Sequence, residues 1–277
     1  PENVKGRLVG LLWGIVRLGS AFSVVLGGFL YDRYNYSQAV AVIAAGTALS
    51  IPAALLLRWP RKQQVHPIEH SSPLEGWKTA FQTAPRRWIL AVGFMDTLFE
   101  GVLGATLSLY LSSRLGSSIE DFTLGIGTLA GMLLALRYLA NIIFSPLLGA
   151  LSDRLGQPPT QAVLSLIILV GISAAVNLTG LGMLACLAVV FFAGSGLFSV
   201  GNAAASGLAK ESQRPHLFVG FFSTAIDAGA AVGPLLAFSI GKAAGFDILY
   251  ILSAAMLFIA SIRFWQTSRV HHHHIEV

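Results

Sequence analysis

Apolar residues gather into eight long runs, at roughly 8–30, 38–57, 88–111, 122–148, 161–179, 182–207, 218–241 and 247–265. A stretch of about 20 mostly apolar residues is long enough to cross a bilayer as a helix. Backbone that faces lipid must satisfy its own N–H and C=O groups, so helices are the only elements that runs of this kind predict. The pattern therefore predicts an all-α membrane protein with eight transmembrane helices. Polar breaks between the runs are mostly short. The one after the fourth run, Gly149-Ala150-Leu151-Ser152-Asp153-Arg154-Leu155-Gly156, reads as a tight surface turn with an acid–base pair between two glycines. The longest break, 58–87, contains Ser72-Pro73-Leu74-Glu75, a capping box with Pro at the first helical position. Leu74, Trp77 and Phe81 follow at helical spacing and predict a short amphipathic helix on the membrane surface, a linker docked on the bundle.

Composition agrees with this picture. The chain is 55% apolar and 11% charged, with a mean hydropathy of +0.71, whereas soluble domains carry about 25% charged residues. Charge also orients it. With a cytoplasmic amino terminus and every run crossing, thirteen Lys and Arg fall inside, many of them in the 58–87 linker, while the outside keeps only Arg33, Arg114 and Lys242. Such an excess marks the cytoplasmic side. It predicts a multi-pass protein of the cell (inner or plasma) membrane with linker 58–87 and the carboxyl terminus in the cytoplasm. The basic pI of about 9.6 is then a matter of topology, and nucleic acid is not expected as a partner. Cys186 is the single cysteine and reads as a small buried hydrophobe. His66 and His70 lie in the linker without a third ligand, so neither a metal site nor a cofactor is expected. A phosphate-binding Gly-Lys-Ser/Thr sequence and other enzymatic motifs are absent. His271 to His274 are left out of the functional reading.

The Gly149–Gly156 stretch resembles the G-x-L-[SA]-D-R-x-G signature of the major facilitator superfamily of secondary transporters, at Gly149, Leu151, Ser152, Asp153, Arg154 and Gly156. It departs from the family after that, since Gln157-Pro158-Pro159 stands where basic residues are usual. An internal repeat accompanies it: a shift of 210 residues aligns Gly10 with Gly220, Gly19 with Gly229, Ala21 with Ala231, and Ala44-Ala45 with Ala254-Ala255. In a twelve-helix transporter of two parallel six-helix halves, the resemblance implies that the eight runs are helices 5–12. Residues 1–60 would then be helices 5–6 of the first bundle, 61–87 a cytoplasmic linker, 88–269 the second bundle (helices 7–12) and 270–277 a tail. Helices 1–4 would be missing partners of the same protein. The signature then falls after helix 8, where Asp153 is expected to meet the amino-terminal end of helix 11 around Leu217-Phe218 and to gate the transporter with Gly149, Arg154 and Gly156.

A second motif of proton-coupled exporters, g-x-x-x-G-P-x-x-G-G, is split between two helices. Gly19, Gly27 and Gly28 keep its outer glycines in helix 5, and Gly229, Gly233 and Pro234 keep its Gly-Pro in helix 11. Close helix packing through small residues and a kink at Pro234 are the plainer reading of the same residues.

Charges at membrane depth are the main functional candidates. Asp96 and Glu100 are one turn apart on one helix face, ~12 and ~18 Å from the start of their span at about 1.5 Å per residue. They and Asp227 are candidates for proton coupling. Arg137, with Asn141 and Ser145 on the same face, and the Ser195, Ser199, Asn202 and Ser206 stripe are candidates for a substrate cavity. Structural readings stand beside these: Arg137 paired with Asp227 or Asp96 only to avoid a lone buried charge, and the Ser/Asn stripe as interhelical packing. Arg17 is equivalent to Asp227 under the 210-residue shift and is expected to serve the absent half. The functional reading is a non-enzymatic secondary transporter exporting a small organic molecule, a small-molecule substrate exchanged for protons by alternating access across a lipid bilayer. Two alternatives stay open: an importer or facilitator of a sugar or organic anion, with Arg137 on the anionic group, and a transport-dead scaffold or receptor on the same fold.

Overall fold

The computed structural model describes residues 2–34, 36–56, 73–115 and 125–275, without the side chains of residues 2–14, 53, 73–74, 144–146, 149, 242 and 271–275. Ser72 of the capping box, His66 and His70 lie outside the described residues, as do the side chains of Ser145 and His271 to His274. All described elements are helices: α1 (Glu2–Arg33), α2 (Tyr36–Ala48), α3 (Ser50–Leu56), α4 (Pro73–Phe81), α5 (Ala84–Leu115), α6 (Ile126–Leu155), α7 (Gln157–Asn177), α8 (Gly180–Lys210), α9 (Pro215–Ser239), α10 (Gly241–Ala244) and α11 (Phe246–Ile275). Eight helical stretches are long and apolar enough to cross a membrane, and they coincide with the eight apolar runs.

Two boundaries differ from the sequence pattern. The second span is two helices, because Pro52 has no N–H and its ring crowds the carbonyl four residues back, breaking the ladder at Leu49. The Gly149–Gly156 stretch is not a turn. Residues up to Leu155 continue α6, and the chain reverses at Gly156 alone, whose φ of 89° suits only glycine. Pro158 and Pro159 then sit in the first turn of α7, where a missing N–H leaves no helical bond unmade.

α5 is the hub of one bundle, packed against α9, α11 and α8, with α7 closing between α8 and α11 and α6 lying on α8. Small residues set the α5–α9 seam. Gly229 lies against the Phe94 carbonyl, Gly233 against Leu98 and Gly101, and the Thr97 hydroxyl donates to the Ile226 carbonyl at 2.7 Å. These contacts run in parallel register, so both helices begin at the same end of the bundle. At the other end Arg114 of α5 pairs with Asp247 of α11 at 2.5 Å. Between the ends, Tyr110 and Tyr250 meet edge to face at 5.1 Å, and the Tyr250 hydroxyl bonds Thr106 at 2.7 Å.

α4 docks on α9 through a Glu75–Arg214 ion pair and a cluster of Trp77, Phe81 and Phe221. The α1–α3 hairpin joins the bundle through α1, which runs antiparallel along α6. Gly28 abuts the backbone of Gly127, and Gly131 that of Val24.

Candidate functional site

α5 and α6 bring Asp96, Glu100 and Arg137 together at the middle of their spans. Asp96 and Arg137 are buried, at 5% and 8% exposure, and Glu100 is half-buried. Arg137 forms an ion pair with Glu100 and is attracted electrostatically by Asp96. Among the described residues, no hydrogen bond reaches the Asp96 carboxylate. The three side chains line a narrow cavity of about 10 Å³, whose other walls are Phe99, Leu103, Val190, Phe191 and Gly194. Their convergence follows from local geometry. Spacing by four puts both acids on one face of α5, and the packing of α5 and α6 on α8 turns Arg137 to that face.

This arrangement corrects the pairing of Arg137 with Asp227. Asp227 is exposed on α9, away from the Gly229 and Gly233 face that meets α5, and it joins no ion pair among the described residues. The partner of Arg137 is Glu100, because α6 approaches α5 and not α9 at that depth.

A larger, open cavity of about 360 Å³ lies between α1, α6 and α8, lined by Arg17, Asn141, Phe198, Ser199 and Asn202. The Asn141 amide donates to the Ser195 carbonyl at 3.2 Å and to the Ser199 hydroxyl at 3.1 Å, tying α6 to α8. Asn202 donates to the Phe198 carbonyl at 2.8 Å. Ser195 does not line the cavity: it is buried, and its hydroxyl bonds the Phe192 carbonyl of its own helix at 2.7 Å. The exposed Ser206 likewise bonds back to Asn202. Thus the predicted stripe divides, with Ser199 and Asn202 facing the cavity and Ser195 serving helix packing.

Arg17 finds partners among the described residues. Its guanidinium lies 5.7 Å from the Tyr138 ring and 5.3 Å from the Phe198 ring, in the range of cation–π contacts. The exporter-type glycines also separate. Gly28, Gly229 and Gly233 sit at close backbone approaches, and Pro234 packs on Gly101. Gly27 makes only an ordinary contact with Ile43, and a side chain at Gly19 would meet open space.

Asp153 and Arg154 are exposed on the last turn of α6. Among the described residues, no hydrogen bond or ion pair joins Asp153 to α9. The physical reason is register. Gly28 against Gly127 and Arg17 over Tyr138 make α1 and α6 antiparallel, which carries the end of α6 toward the first turn of α1 instead of α9.

One polar contact was not anticipated. The Asp32 carboxylate, at the end of α1, accepts hydrogen bonds from the Gly127 amide at 2.9 Å, the Thr128 amide at 2.6 Å and the Thr128 hydroxyl at 2.6 Å. It caps α6 across the hairpin–bundle junction, neutralising N–H groups that have no partner within the helix. Gly125, Gly127 and Thr128 at a helix start were the available signal, since the glycines leave room for an incoming carboxylate.

The sequence model of the Major Facilitator Superfamily matches residues 89–276. A protein of Escherichia fergusonii described as multidrug resistance protein MdtG is 23% identical over 278 residues, covering 97% of this chain and 65% of its own length. The protein of the same description in Citrobacter koseri is 21% identical over 276 residues, with the same coverage. The chain thus spans about two thirds of the length of these curated relatives.

Proposed function

We propose, from the premise that this chain belongs to the Major Facilitator Superfamily, that it forms much of a proton-coupled exporter of small organic molecules that works by alternating access. The carrying observation is Asp96, a buried carboxyl group in a small cavity with an arginine nearby and no described hydrogen bond. An ionised carboxylate in such a place is costly unless a partner or a proton neutralises it. Asp96 is the proton carrier in this reading. Glu100 is a positioning residue, holding Arg137 at the α5–α6 contact. With Asp96 ionised, Arg137 is drawn to both acids. A proton on Asp96 removes one attraction, leaves Arg137 to Glu100, and loosens the contact across which the two helices shift. The names of the two relatives support export over import. The anion-import alternative is weakened by the Glu100–Arg137 pair, which already engages the cation it needs.

The surrounding assignments belong to the same proposal. The hairpin at 1–60 is part of a first bundle whose further helices complete the transport pathway, 61–87 is the linker and 88–269 the second bundle. The excess of Lys and Arg supports a cytoplasmic location for the linker, for Arg154 and for the carboxyl terminus. Asp153 and Arg154, with Gly149 and Gly156, act at that face as gate residues, and Asp227 faces the first bundle.

The test is flux in proteoliposomes containing the complete transporter, measured with anionic, neutral and cationic organic dyes. An imposed proton gradient should accelerate dye movement, and Asp96→Asn should abolish that acceleration while leaving dye–dye exchange without a gradient intact. A gradient response in Asp96→Asn equal to that of the unmodified protein overturns the assignment.

A further inference from the structure

The geometry points to Arg17 as the anchor of a substrate subsite for organic anions with an aromatic body, within the cavity between α1, α6 and α8. This assignment rests on the transport reading above and narrows the substrate class. Three observations carry it. First, Arg17 is the one cation among the described lining residues of that cavity, and no carboxylate lies within ion-pairing distance of it among the described residues. The nearest competing cation, Arg137, is already engaged by Glu100 and repels Arg17. Second, the rings of Tyr138 and Phe198 flank the Arg17 guanidinium. These ring contacts restrain the guanidinium, and among the described residues none of its N–H groups donates a hydrogen bond, so the fork can take a carboxylate through two parallel hydrogen bonds. Third, the polar wall beside it offers acceptors. Asn141 and Asn202 direct their amide N–H groups to protein oxygens, and among the described residues nothing donates to their Oδ1 atoms. Phe198 adds an apolar ring surface to the same wall.

A ligand complementary to these groups carries an acid for Arg17, an aromatic body for Phe198, and an N–H or O–H donor for the asparagine oxygens. Such a ligand loses its hydration on entry and regains a charge-assisted pair, an aromatic contact and a neutral hydrogen bond. A cation has no complementary charge there and meets the repulsion of Arg17.

The test is equilibrium binding to the purified chain in lipid nanodiscs at about neutral pH, with three probes of one shape. Indole-3-acetate is anionic, indole-3-acetamide neutral and tryptamine cationic. The expected order is acetate over amide by about tenfold, the scale of one charge-assisted pair, with tryptamine weakest. Arg17→Gln should erase the preference for the acid, bringing the acetate and amide affinities together, and Arg17→Lys should keep part of it. The unfolding temperature of each variant in the same nanodiscs checks that the fold is intact. Equal affinity for acetate and amide, tryptamine binding most tightly, or a preference that survives Arg17→Gln overturns the assignment. No proton gradient enters this measurement, so its failure is separate from failure of the coupling role of Asp96. Gradient-driven flux lost in Asp96→Asn together with indifference to probe charge would reject only the anion subsite.

Discussion

The spans Tyr36–Leu56 and Gly180–Lys210 have nearly the same mean hydropathy, yet 6% of the first and 44% of the second is buried against the rest of the chain. The α1–α3 hairpin exposes large apolar side chains along its length, among them Phe22, Leu49, Leu55 and Leu56. α8 instead presents Gly194, Gly196, Gly201 and small Ala and Ser residues to α5, α6 and α7, and those positions are buried. Both spans are about half Ala, Gly, Ser and Thr, so the comparison teaches that apolar composition selects the membrane, whereas burial follows from which helices meet in close register. Lipid tails are as apolar as leucine, so helices in a bilayer associate through close van der Waals packing and interhelical hydrogen bonds. Among the described residues the hairpin meets the bundle along one such seam, against α6, and the bundle has several.

Substitutions at matched positions in the two regions break or sharpen this contrast. The largest effect is expected for the buried cation of the bundle. Arg137→Ala leaves Glu100 unpaired and should cost about 3–5 kcal/mol, seen as a lower unfolding temperature in detergent. Glu100→Gln in the same chain should recover much of the loss, Asp227→Ala none of it, and Arg17→Ala alone, which loses only two cation–π contacts, should lower the temperature far less. Rescue by Asp227→Ala would restore the pairing that the structure replaces. Next come the glycines. Gly233→Ala puts a methyl group against the backbone of Leu98 and Gly101 and should cost ~1–3 kcal/mol, lowering the yield of monodisperse protein. Gly19→Ala, with open space around it, should be neutral or slightly stabilising.

At the junction of the two regions, Asp32→Ala removes the cap of α6 and should cost about 1 kcal/mol. Hydrogen exchange at the Gly127 and Thr128 amides should then quicken by about fivefold. Unchanged exchange would mean that the carboxylate does not hold the hairpin to α6. The smallest effect is expected for Glu75→Gln. Its ion pair with Arg214 is nearly half exposed, so the loss should stay below about 1 kcal/mol and shrink further at high salt. Trp77→Ala, which strips the ring from the Phe81 and Phe221 cluster, should release α4 more readily to a protease.

The helical content and the eight spans were legible because lipid imposes one requirement, length with apolarity, which the chain states directly. Asp96 and Glu100 were legible for a similar reason, since charged residues seldom stand inside a span without purpose. The partner of Arg137 was not. A charge declares its need for an opposite charge, but which of Asp96, Glu100 and Asp227 supplies it depends on the rotation and depth of separate helices. Register explains the other departures. The end of α6 lies toward the start of α1 because the two helices run antiparallel along a glycine seam, and no local pattern around Asp153 encodes that. The Ser195, Ser199, Asn202 and Ser206 stripe reads as one face of α8, yet a face is wide enough for Ser195 to turn inward and Ser206 outward while Ser199 and Asn202 meet the cavity.

By itself, then, the sequence determined that the chain is a helical membrane protein, where its spans lie, and which acids and bases stand at membrane depth. It also carried the signature of the family to which the chain belongs. Tertiary structure alone decided that Glu100 holds Arg137, that Arg17 comes within cation–π range of Tyr138 and Phe198, and that Asp32 closes the seam between hairpin and bundle. The physical reason is one of range. Hydropathy and helix periodicity act within a single segment, whereas ion pairs and close backbone approaches need two helices in one relative register, which only their packing provides.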